Sequence, residues 1–478
     1  MRFATSILIA ATLGCAFVWL SSDARAEDRI KPYGENPFYW QYQGEPVLLL
    51  GASDYHNIFQ RPDIAEHLDV MQAAGGNYVR NTMASREIMD DHRDLWPYAI
   101  VEETDDPLIA VYDLDEWNGE YWERFEIMLE ETDARDIIVE IEIWERHDKY
   151  RTRDQAGWER HPYNPDNNIN YTAGESGLPV GEWTEDPGHP FFASVPELEN
   201  NELVLAYQER FVDKILSYTL EYNHVLYNMN NETKEHHAWG EHWGWHILAQ
   251  AGAAGLQVEL TDMQDAHNIT HASHARVMDS DLWTFVDISQ NNLGARGQTH
   301  WDRVRYIRDY LADDPMPITN VKVYGSDNAP GSTEAWGTTR EAAERFWRNI
   351  VGGCSSARFH RPDWGIGLNE TAQAHLQSMR MLTDAMHVFS AAPRNDLLGG
   401  REDNEAYCLA EAGQQYAVYF PGEGSVMLDI QDLEGSFSVQ WLDVEQAAFE
   451  EPTVLEGQQQ IELENASSSP RAVLVLRE

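Results

Sequence analysis

The chain has 478 residues, and 81 Asp and Glu outnumber 34 Lys and Arg, so its formal net charge is −47. This acidity excludes a general binder of nucleic acids or of anionic membranes, because phosphate recognition requires a basic surface. Hydrophobic residues make up 42% of the chain and aromatic residues 11%. That is enough apolar material for a large core, so the composition predicts a folded protein and not a disordered acidic one.

The first 26 residues have the composition of a secretory signal peptide. Arg2 provides the positive start, an apolar run extends from Ile7 to Leu20, and Ala24-Arg25-Ala26 fits a small-residue cleavage site. The apolar run is short for a membrane span. We therefore predict a signal peptide over 1–26 and a mature protein that is secreted or periplasmic in a bacterium, with no membrane attachment after cleavage.

Eight apolar stretches predict strands that alternate with helical stretches, as in parallel βα units. The predicted strands are Pro46–Gly51, Asn77–Asn81, Ile137–Ile143, Val225–Met229, Leu256–Leu260, Leu282–Ile288, Ile318–Tyr324 and Ser356–His360. They predict an α/β fold, a (β/α)8 TIM barrel over residues 27–392. The alternative is a doubly wound open sheet, but no glycine-rich dinucleotide turn follows the first strand. The polar insertion 148–200 would cover the carboxyl-terminal face of such a barrel.

The pattern changes after Pro393, where short alternating runs predict a small all-β sandwich over residues 393–478. The predicted strands are Glu405–Glu411, Tyr416–Phe420, Ser425–Ile430, Phe437–Leu442, Gln459–Leu463 and Ala472–Leu476. Once the signal peptide is removed, Cys354 and Cys408 are the remaining cysteines. Two cysteines do not make a disulfide scaffold, so we predict two buried free thiols.

The strongest candidate for chemistry is Glu232, which follows Asn230 and Asn231 at the end of the fourth predicted strand. A carboxylate at the carboxyl end of a barrel strand points into the pocket that the strand ends share. Asn231 would bind a sugar hydroxyl there.

The sequence contains no P-loop, dinucleotide fingerprint or GxSxG motif, so no cofactor is predicted. The pair His242 and His246 lacks the HExxH pattern, so no metal is predicted either.

The Asn-Glu pair resembles clan A glycoside hydrolases, whose acid/base Glu follows an Asn at the end of the fourth strand. The chain is most similar to the apiosidase-like family, in which a C-terminal domain commonly labelled collagen-binding follows the barrel. The resemblance is carried by NPFYWQYQGEPVLLLGASDYH near the start and by AVYFPGEGSVMLDI, SFSVQWLDV and AVLVL near the end. It implies a hydrolase in which Glu232 is the acid/base, a role that requires a raised Glu232 pKa.

The sequence departs from this family at the seventh strand. Retaining members place a nucleophilic Glu there, and this chain has Lys322, which cannot attack the anomeric carbon in a two-carboxylate mechanism. Asp327 is the predicted replacement, and an inverting mechanism with a more distant base is the alternative. Further carboxylates at strand ends are Glu142, Asp262 and Asp287, each of which is more often a structural hydrogen-bond partner.

Cations cluster at the predicted strand ends: Arg80 at the second, Lys322 at the seventh, and Arg358, His360 and Arg361 at the eighth. Arginine forks match carboxylates and sulfates, so these residues predict an acidic sugar as substrate. The alternative is that the cations pair with the barrel's own carboxylates and only hold the fold together.

The same residues leave two other functions open. A polysaccharide lyase would use Lys322, Tyr324 or His360 as the base that removes a proton next to the uronate carboxyl group. A glycan-binding pseudo-enzyme would have lost the nucleophile. In all three cases aromatic residues such as Trp144 would stack on sugar rings. Our first interpretation is a secreted glycoside hydrolase acting on a poly- or oligosaccharide.

Overall fold

The computed structural model describes residues 28–85, 94–106, 108–147, 149, 157–185, 187–270, 272–328, 336–430, 435–456 and 460–478. The predicted signal peptide 1–26 lies outside these residues. The protein is mixed α/β, with helices and parallel strands alternating up to residue 384 and antiparallel strands after it. In the described part of the chain, no helix is both long and apolar enough to cross a membrane.

The helices of this part are α1 Ile64–Ala73, α2 Gly119–Asp133, α3 Ala173–Ser176, α4 Glu202–Thr219, α5 His237–Ala253, α6 Ala272–Met278, α7 Asn291–Gly294, α8 Gly297–Tyr310, α9 Thr339–Val351 and α10 Glu370–Asp384. Short 3-10 turns cover Ile58–Gln60, Trp158–Arg160, Pro165–Asn167, Pro190–Ala193, Val388–Ser390 and Asn395–Leu397. Helix α9 shows how the sequence sets a helix boundary. Its start is defined by a capping box in which Thr338 and Glu341 satisfy each other's backbone N–H groups.

The strands before residue 360 are β1 Lys31–Pro32, β2 Trp40–Tyr42, β3 Glu45–Val47, β4 Leu49–Ala52, β5 Tyr78–Thr82, β6 Tyr98–Glu103, β7 Ala110–Trp117, β8 Ile138–Glu145, β9 Val225–Thr233, β10 Leu260–Gln264, β11 Val286–Asp287, β12 Ile318–Thr319 and β13 Ser356–Phe359. Strands β4, β5 and β8 are buried at every residue. Burial of both strand faces is typical of parallel sheets covered by helices.

Eight of these strands, β4, β5 and β8–β13, are hydrogen-bonded in chain order. Strands β5, β8, β9 and β10 form one parallel sheet, β11 pairs with β12, and β13 pairs with β4. Backbone bonds join these groups: Asn77 N to Leu50 O (2.8 Å), Thr284 N to Leu260 O (3.0 Å) and Ser355 N to Ile318 O (2.9 Å). The last parallel strand therefore pairs with the first.

The fifth of these strands differs from its prediction. We predicted it over Leu256–Leu260, whereas β10 begins at Leu260. The reason is the end of α5, where Gly255 has a φ of +74° and the N–H of Leu256 donates to the carbonyl of Ala251 at 2.9 Å. Leu256 therefore belongs to the cap of the helix. The shift makes Asp265, and not Asp262, the carboxylate that follows the strand.

Two excursions pack together beside the carboxyl ends of the parallel strands. The antiparallel pair β6–β7, which the sequence did not predict, contacts the insertion 148–200. Tyr98 and Tyr163 join their hydroxyls at 2.8 Å, and Leu114 N donates to Asn170 Oδ1 at 2.7 Å. The described part of the insertion is thus tied to the body of the protein.

The strands after residue 390 are β14 Ala392–Pro393, β15 Leu398–Gly399, β16 Tyr407–Glu411, β17 Gln415–Phe420, β18 Gly424–Asp429, β19 Ser436–Asp443, β20 Ala448–Phe449, β21 Thr453–Glu456, β22 Gln460–Asn465 and β23 Arg471–Arg477. They form two antiparallel sheets, ordered β14-β16-β17-β23-β19-β20 with β21 on β19, and β15-β18-β22. Side chains of both sheets share one apolar cluster that includes Cys408. Cys354 and Cys408 are both buried and free, as predicted.

This region packs against the helices of the α/β part. The indole of Trp347 in α9 stacks on the ring of Tyr419 in β17, with centroids 4.9 Å apart and planes at 13°. Trp301 in α8 contacts Tyr407 in β16, with centroids 4.7 Å apart. The aromatic contacts join the two parts into a continuous core.

Candidate active site

Glu232 lies near the end of β9 with a backbone φ of +56°. Residues other than glycine rarely adopt this left-handed conformation, and such outliers concentrate at functional sites. The neighbours on both sides remain paired, since Asn231 aligns with Met263 and Thr233 with Gln264 of β10. The irregular backbone therefore turns one side chain out of the strand's alternation without breaking the strand.

The Glu232 carboxylate is held by three side chains. Its Oε1 accepts hydrogen bonds from Lys322 Nζ at 2.6 Å and from the Tyr324 hydroxyl at 2.9 Å. Its Oε2 lies 3.5 Å from Nε2 of His147. The side chain is 15% exposed, against 2% for Lys322. Glu232 is thus the accessible member of a largely buried ion pair.

Electrostatics keep this carboxyl group ionised. Burial alone would raise the pKa of Glu232, but Lys322 and then His147 hold that pKa well below its usual range. The raised Glu232 pKa that the acid/base role requires is therefore not found in the substrate-free site. Conversely, burial and then the charge of Glu232 raise the pKa of Tyr324 well above its usual range, so the phenol stays protonated and remains a donor.

Lys322 contacts both Asn231 and Glu232. Its ammonium donates to Asn231 Oδ1 at 2.5 Å and to Glu232, and its third neighbour is the thioether of Met263 at 3.4 Å. The amide of Asn231 is oriented from its other side, because its Nδ2 donates to Glu145. Asn231 thus positions the lysine beside Glu232.

A second ion pair lies one layer deeper. Arg80 donates to the carboxylate of Glu142 and lies 3.1 Å from Nδ1 of His56. The Nε2 of His56 is 2.9 Å from Glu145, which also binds Asn231. Arg80 and Glu142 are both fully buried. They connect to Glu232 through a continuous chain of hydrogen bonds, although they are not exposed to a substrate.

The cations predicted at the end of the eighth parallel strand, now β13, lie beside this network. His360 packs against Tyr324, with ring centroids 5.0 Å apart, and burial followed by the charge of Arg80 lowers its pKa well below the usual range. Arg358 is fully buried and donates to the carbonyl of Val321 at 2.8 Å. Arg361 lies 3.4 Å from the exposed Asp363.

Two predicted site residues are placed elsewhere. Asp327 is exposed, its backbone N–H donates to Thr339 at 3.2 Å, and among the described residues its carboxylate makes no contact with Glu232. Its role as a replacement nucleophile gains no support from this geometry. Trp144 is 3% exposed and contacts four other aromatic rings, those of Phe191, Phe211, Trp239 and Trp243. It is placed as a core residue and not as a stacking surface.

Two of the spare carboxylates are structural partners. Asp262 accepts from Asn230 at 2.5 Å and from Arg276 at 2.6 Å. Asp287 accepts from the backbone of Ser289 and of Val321. The histidine pair of α5 is divided between two acidic partners, since His242 lies 3.4 Å from Glu197 and His246 lies 2.7 Å from Asp213.

The sequence analysis missed Asp265, which directly follows β10. Its carboxylate lies 2.7 Å from Arg146, 3.0 Å from His267 and 3.2 Å from Lys234. Burial opposes ionisation, but His267 and Arg146 lower its pKa far below the usual range, against the repulsion of Glu232. It is a second ionised carboxylate beside Glu232. The signal was present, an acidic residue after the fifth strand, but the predicted strand ended too early.

Comparisons with known proteins support the fold. No family model matches the chain, and no curated protein matches it. Among solved structures, a glycoside hydrolase of family 5 from Bacteroides vulgatus is 12% identical, with 95% of each chain covered and a TM-score of 0.64. A second glycoside hydrolase is 10% identical over 95% of this chain and 98% of that one, with a TM-score of 0.64. A family 5 mannosidase from Rhizomucor miehei is 14% identical over 76% and 98%, with a TM-score of 0.50. This protein therefore shares the fold of glycoside hydrolases.

Proposed function

We propose that this protein is a secreted glycoside hydrolase, built as a (β/α)8 barrel followed by a β-sandwich. The observation that carries the proposal is Glu232, an accessible carboxylate in a left-handed backbone conformation at the carboxyl end of a parallel strand. Active sites of barrel enzymes are built from these strand ends. The fold shared with glycoside hydrolases supports the same reaction class, and the predicted signal peptide supports export.

In the proposed reaction, protonated Glu232 and ionised Asp265 act as acid and base. Water attacks the anomeric carbon and gives its proton to Asp265. The bond from that carbon to the leaving oxygen breaks, and this oxygen takes the proton of Glu232. Two carboxyl groups in these roles are the arrangement of an inverting hydrolase. This assignment has no nucleophile at the position of Lys322. Its second carboxylate is the base Asp265, directly after β10.

Glu232 must first gain a proton, because the ion pair with Lys322 keeps it ionised in the free site. The hydrolase therefore has to weaken this ion pair when the substrate binds.

The lyase alternative is less well supported. The ammonium of Lys322 already donates to two strong acceptors, and the raised pKa of Tyr324 keeps its phenol protonated. His360 is buried, and burial and Arg80 lower its pKa, which makes it a weak base. A binding-only protein remains the alternative that activity measurements decide.

The test compares the mature protein with Glu232→Gln and with Glu130→Gln, a control on the exposed face of α2. Each is incubated with neutral and acidic polysaccharides while reducing ends and the ultraviolet absorbance of unsaturated uronates are followed. We expect reducing ends without new absorbance, a loss of about 10²–10⁴-fold in Glu232→Gln, and no change in the control. New absorbance would indicate a lyase, and full activity in Glu232→Gln would overturn the assignment. Binding without turnover would indicate a pseudo-enzyme.

A further inference from the structure

The ammonium of Lys322 has one weak partner. It carries three N–H donors, and two of them meet the oxygens of Asn231 and Glu232. The third faces the thioether of Met263 at 3.4 Å, and a thioether sulfur is a poor acceptor. A buried charged group ordinarily satisfies all its donors. The site can therefore take one more strong acceptor at Lys322.

The cations around Lys322 are also incompletely neutralised. Arg80 is paired with Glu142, and Lys322 with Glu232. Arg358 is fully buried, yet its guanidinium donates to backbone carbonyls, and no carboxylate of the described residues forms an ion pair with it. Its Nε and the Nδ1 of the neighbouring His360 have no hydrogen-bond partner among the described residues. An unpaired buried cation favours an incoming anion over a neutral group.

We propose that Lys322 is the receptor for an anionic group of the substrate sugar, a carboxylate or a sulfate, which binds the ammonium in competition with Glu232. This inference rests on the proposed function and names its substrate class. It makes Lys322 a specificity-determining residue at the position where related hydrolases have their nucleophile.

Binding of the anion at Lys322 also explains how Glu232 becomes protonated for the reaction. When the substrate anion takes over Lys322, one ammonium faces two anions in a poorly solvated site. Weakening the attraction of Lys322 removes the largest effect that lowers the pKa of Glu232 and leaves burial, which raises that pKa, opposed by His147. We expect the carboxylate then to take one proton from solvent, which balances the charge again. The acid is thus formed by the substrate that uses it, and a neutral sugar leaves Glu232 ionised.

The test uses calorimetry with galacturonic acid, glucuronic acid and galactose 6-sulfate as anionic probes, and galactose and glucose as neutral ones. Binding is measured at about pH 5.5, where an ordinary Glu is ionised, in two buffers with different heats of ionisation. For the wild type we expect at least about tenfold tighter binding of one anionic class, with uptake of about one proton per site. The carboxylate and sulfate probes distinguish the two sources of charge.

Three variants sharpen the result. Lys322→Met should lose the preference for anionic probes and the proton uptake, while Lys214→Met, at a partly exposed lysine of α4, should keep both. Glu232→Gln should bind the anionic probe more tightly than the wild type and without proton uptake, because the competing carboxylate is gone. This gain in affinity does not depend on turnover.

Equal binding of anionic and neutral probes by the wild type would overturn the inference, and so would anion binding without proton uptake. These measurements need no variant, so they hold even if Lys322→Met does not fold. A failure of the proposed hydrolase is distinct, because it would appear as Glu232→Gln retaining full activity, whatever the binding experiments give.

Discussion

The hydroxyl of Tyr324 donates to Glu232 at 2.9 Å, and its ring packs between His360 and Trp336. Tyr324→Phe keeps the packing and removes one donor from the carboxylate. The pKa of Glu232 should therefore rise, since a hydrogen bond to the ionised form stabilises that form. If Glu232 is the catalytic acid, the alkaline limb of the pH–rate profile then moves to higher pH. Tyr227→Phe, which removes a buried hydroxyl bonded to Thr219, should leave the profile unchanged. An unmoved limb in Tyr324→Phe would exclude Glu232 as the acid.

Glu232 should also contribute to the pH dependence of stability. Its pKa is lowered on folding, so the ionised form stabilises the fold above the unfolded pKa of about 4.3. This stabilisation is lost as the pH falls through the lower folded pKa. Urea unfolding of the wild type and of Glu232→Gln, followed from pH 7 to pH 3, should show a difference in unfolding free energy that shrinks below about pH 4. A difference that grows on acidification would contradict the ion pair.

Asp265 and Asp262 lie three positions apart in the chain and should differ in their effects on kcat and on stability. Asp265→Asn should lower kcat by about 10²–10⁴-fold, as expected for a lost base, and should also lower the free energy of unfolding, because it weakens the ion pairs with Arg146, Lys234 and His267. Asp262→Asn weakens the buried contact with Arg276 and should lower the free energy of unfolding with a smaller effect on kcat. Measured rates and urea unfolding of both variants test this prediction. A larger loss of kcat in Asp262→Asn than in Asp265→Asn would assign the base to Asp262 instead.

The approach of β4 to β5 leaves no room for a side chain at Gly51. A Cβ there would lie 1.9 Å from the carbonyl oxygen of Tyr78, so the backbone of one strand must move. We expect Gly51→Ala to lower the free energy of unfolding by at least about 1–3 kcal/mol, the range for overpacking. Gly34→Ala is the matched control, because nothing lies within 4 Å of its added methyl group. Equal stabilities in thermal unfolding would show that the two strands do not approach so closely.

The stack of Trp347 on Tyr419 should couple the two parts of the protein. Each change to alanine creates a buried cavity and should cost about 3–5 kcal/mol. A double-mutant cycle should give a coupling energy of about 0.5–1.5 kcal/mol, typical of aromatic pairs. Trp301→Ala in combination with Tyr419→Ala is the control, because Trp301 stacks on a different ring, that of Tyr407. Chemical unfolding measures all the variants, and additive losses in the Trp347–Tyr419 cycle would refute the coupling.

The order of the elements could be predicted from the sequence because it follows from local patterns. Strand β8, Ile138–Glu145, is rich in Ile and Val, with Glu140 and Glu142 between them, and α9 carries its own capping box, so both were placed within a few residues. The change at Pro393 was visible for the same reason, since strands of alternating burial have a two-residue period. Glu232 was found through its neighbours, the strand before it and the Asn beside it.

The protonation and the partners of these residues were decided by tertiary structure alone. Lys322 and Glu232 are 90 residues apart in the chain, and nothing local indicates that their side chains meet at 2.6 Å and keep the carboxylate ionised. Asp327 and Trp144 have the right residue types at the right strand ends, yet one side chain lies at the surface and the other in an aromatic core. A pKa and a contact depend on burial and on charges from several strands at once, and the sequence of one segment does not contain these distances.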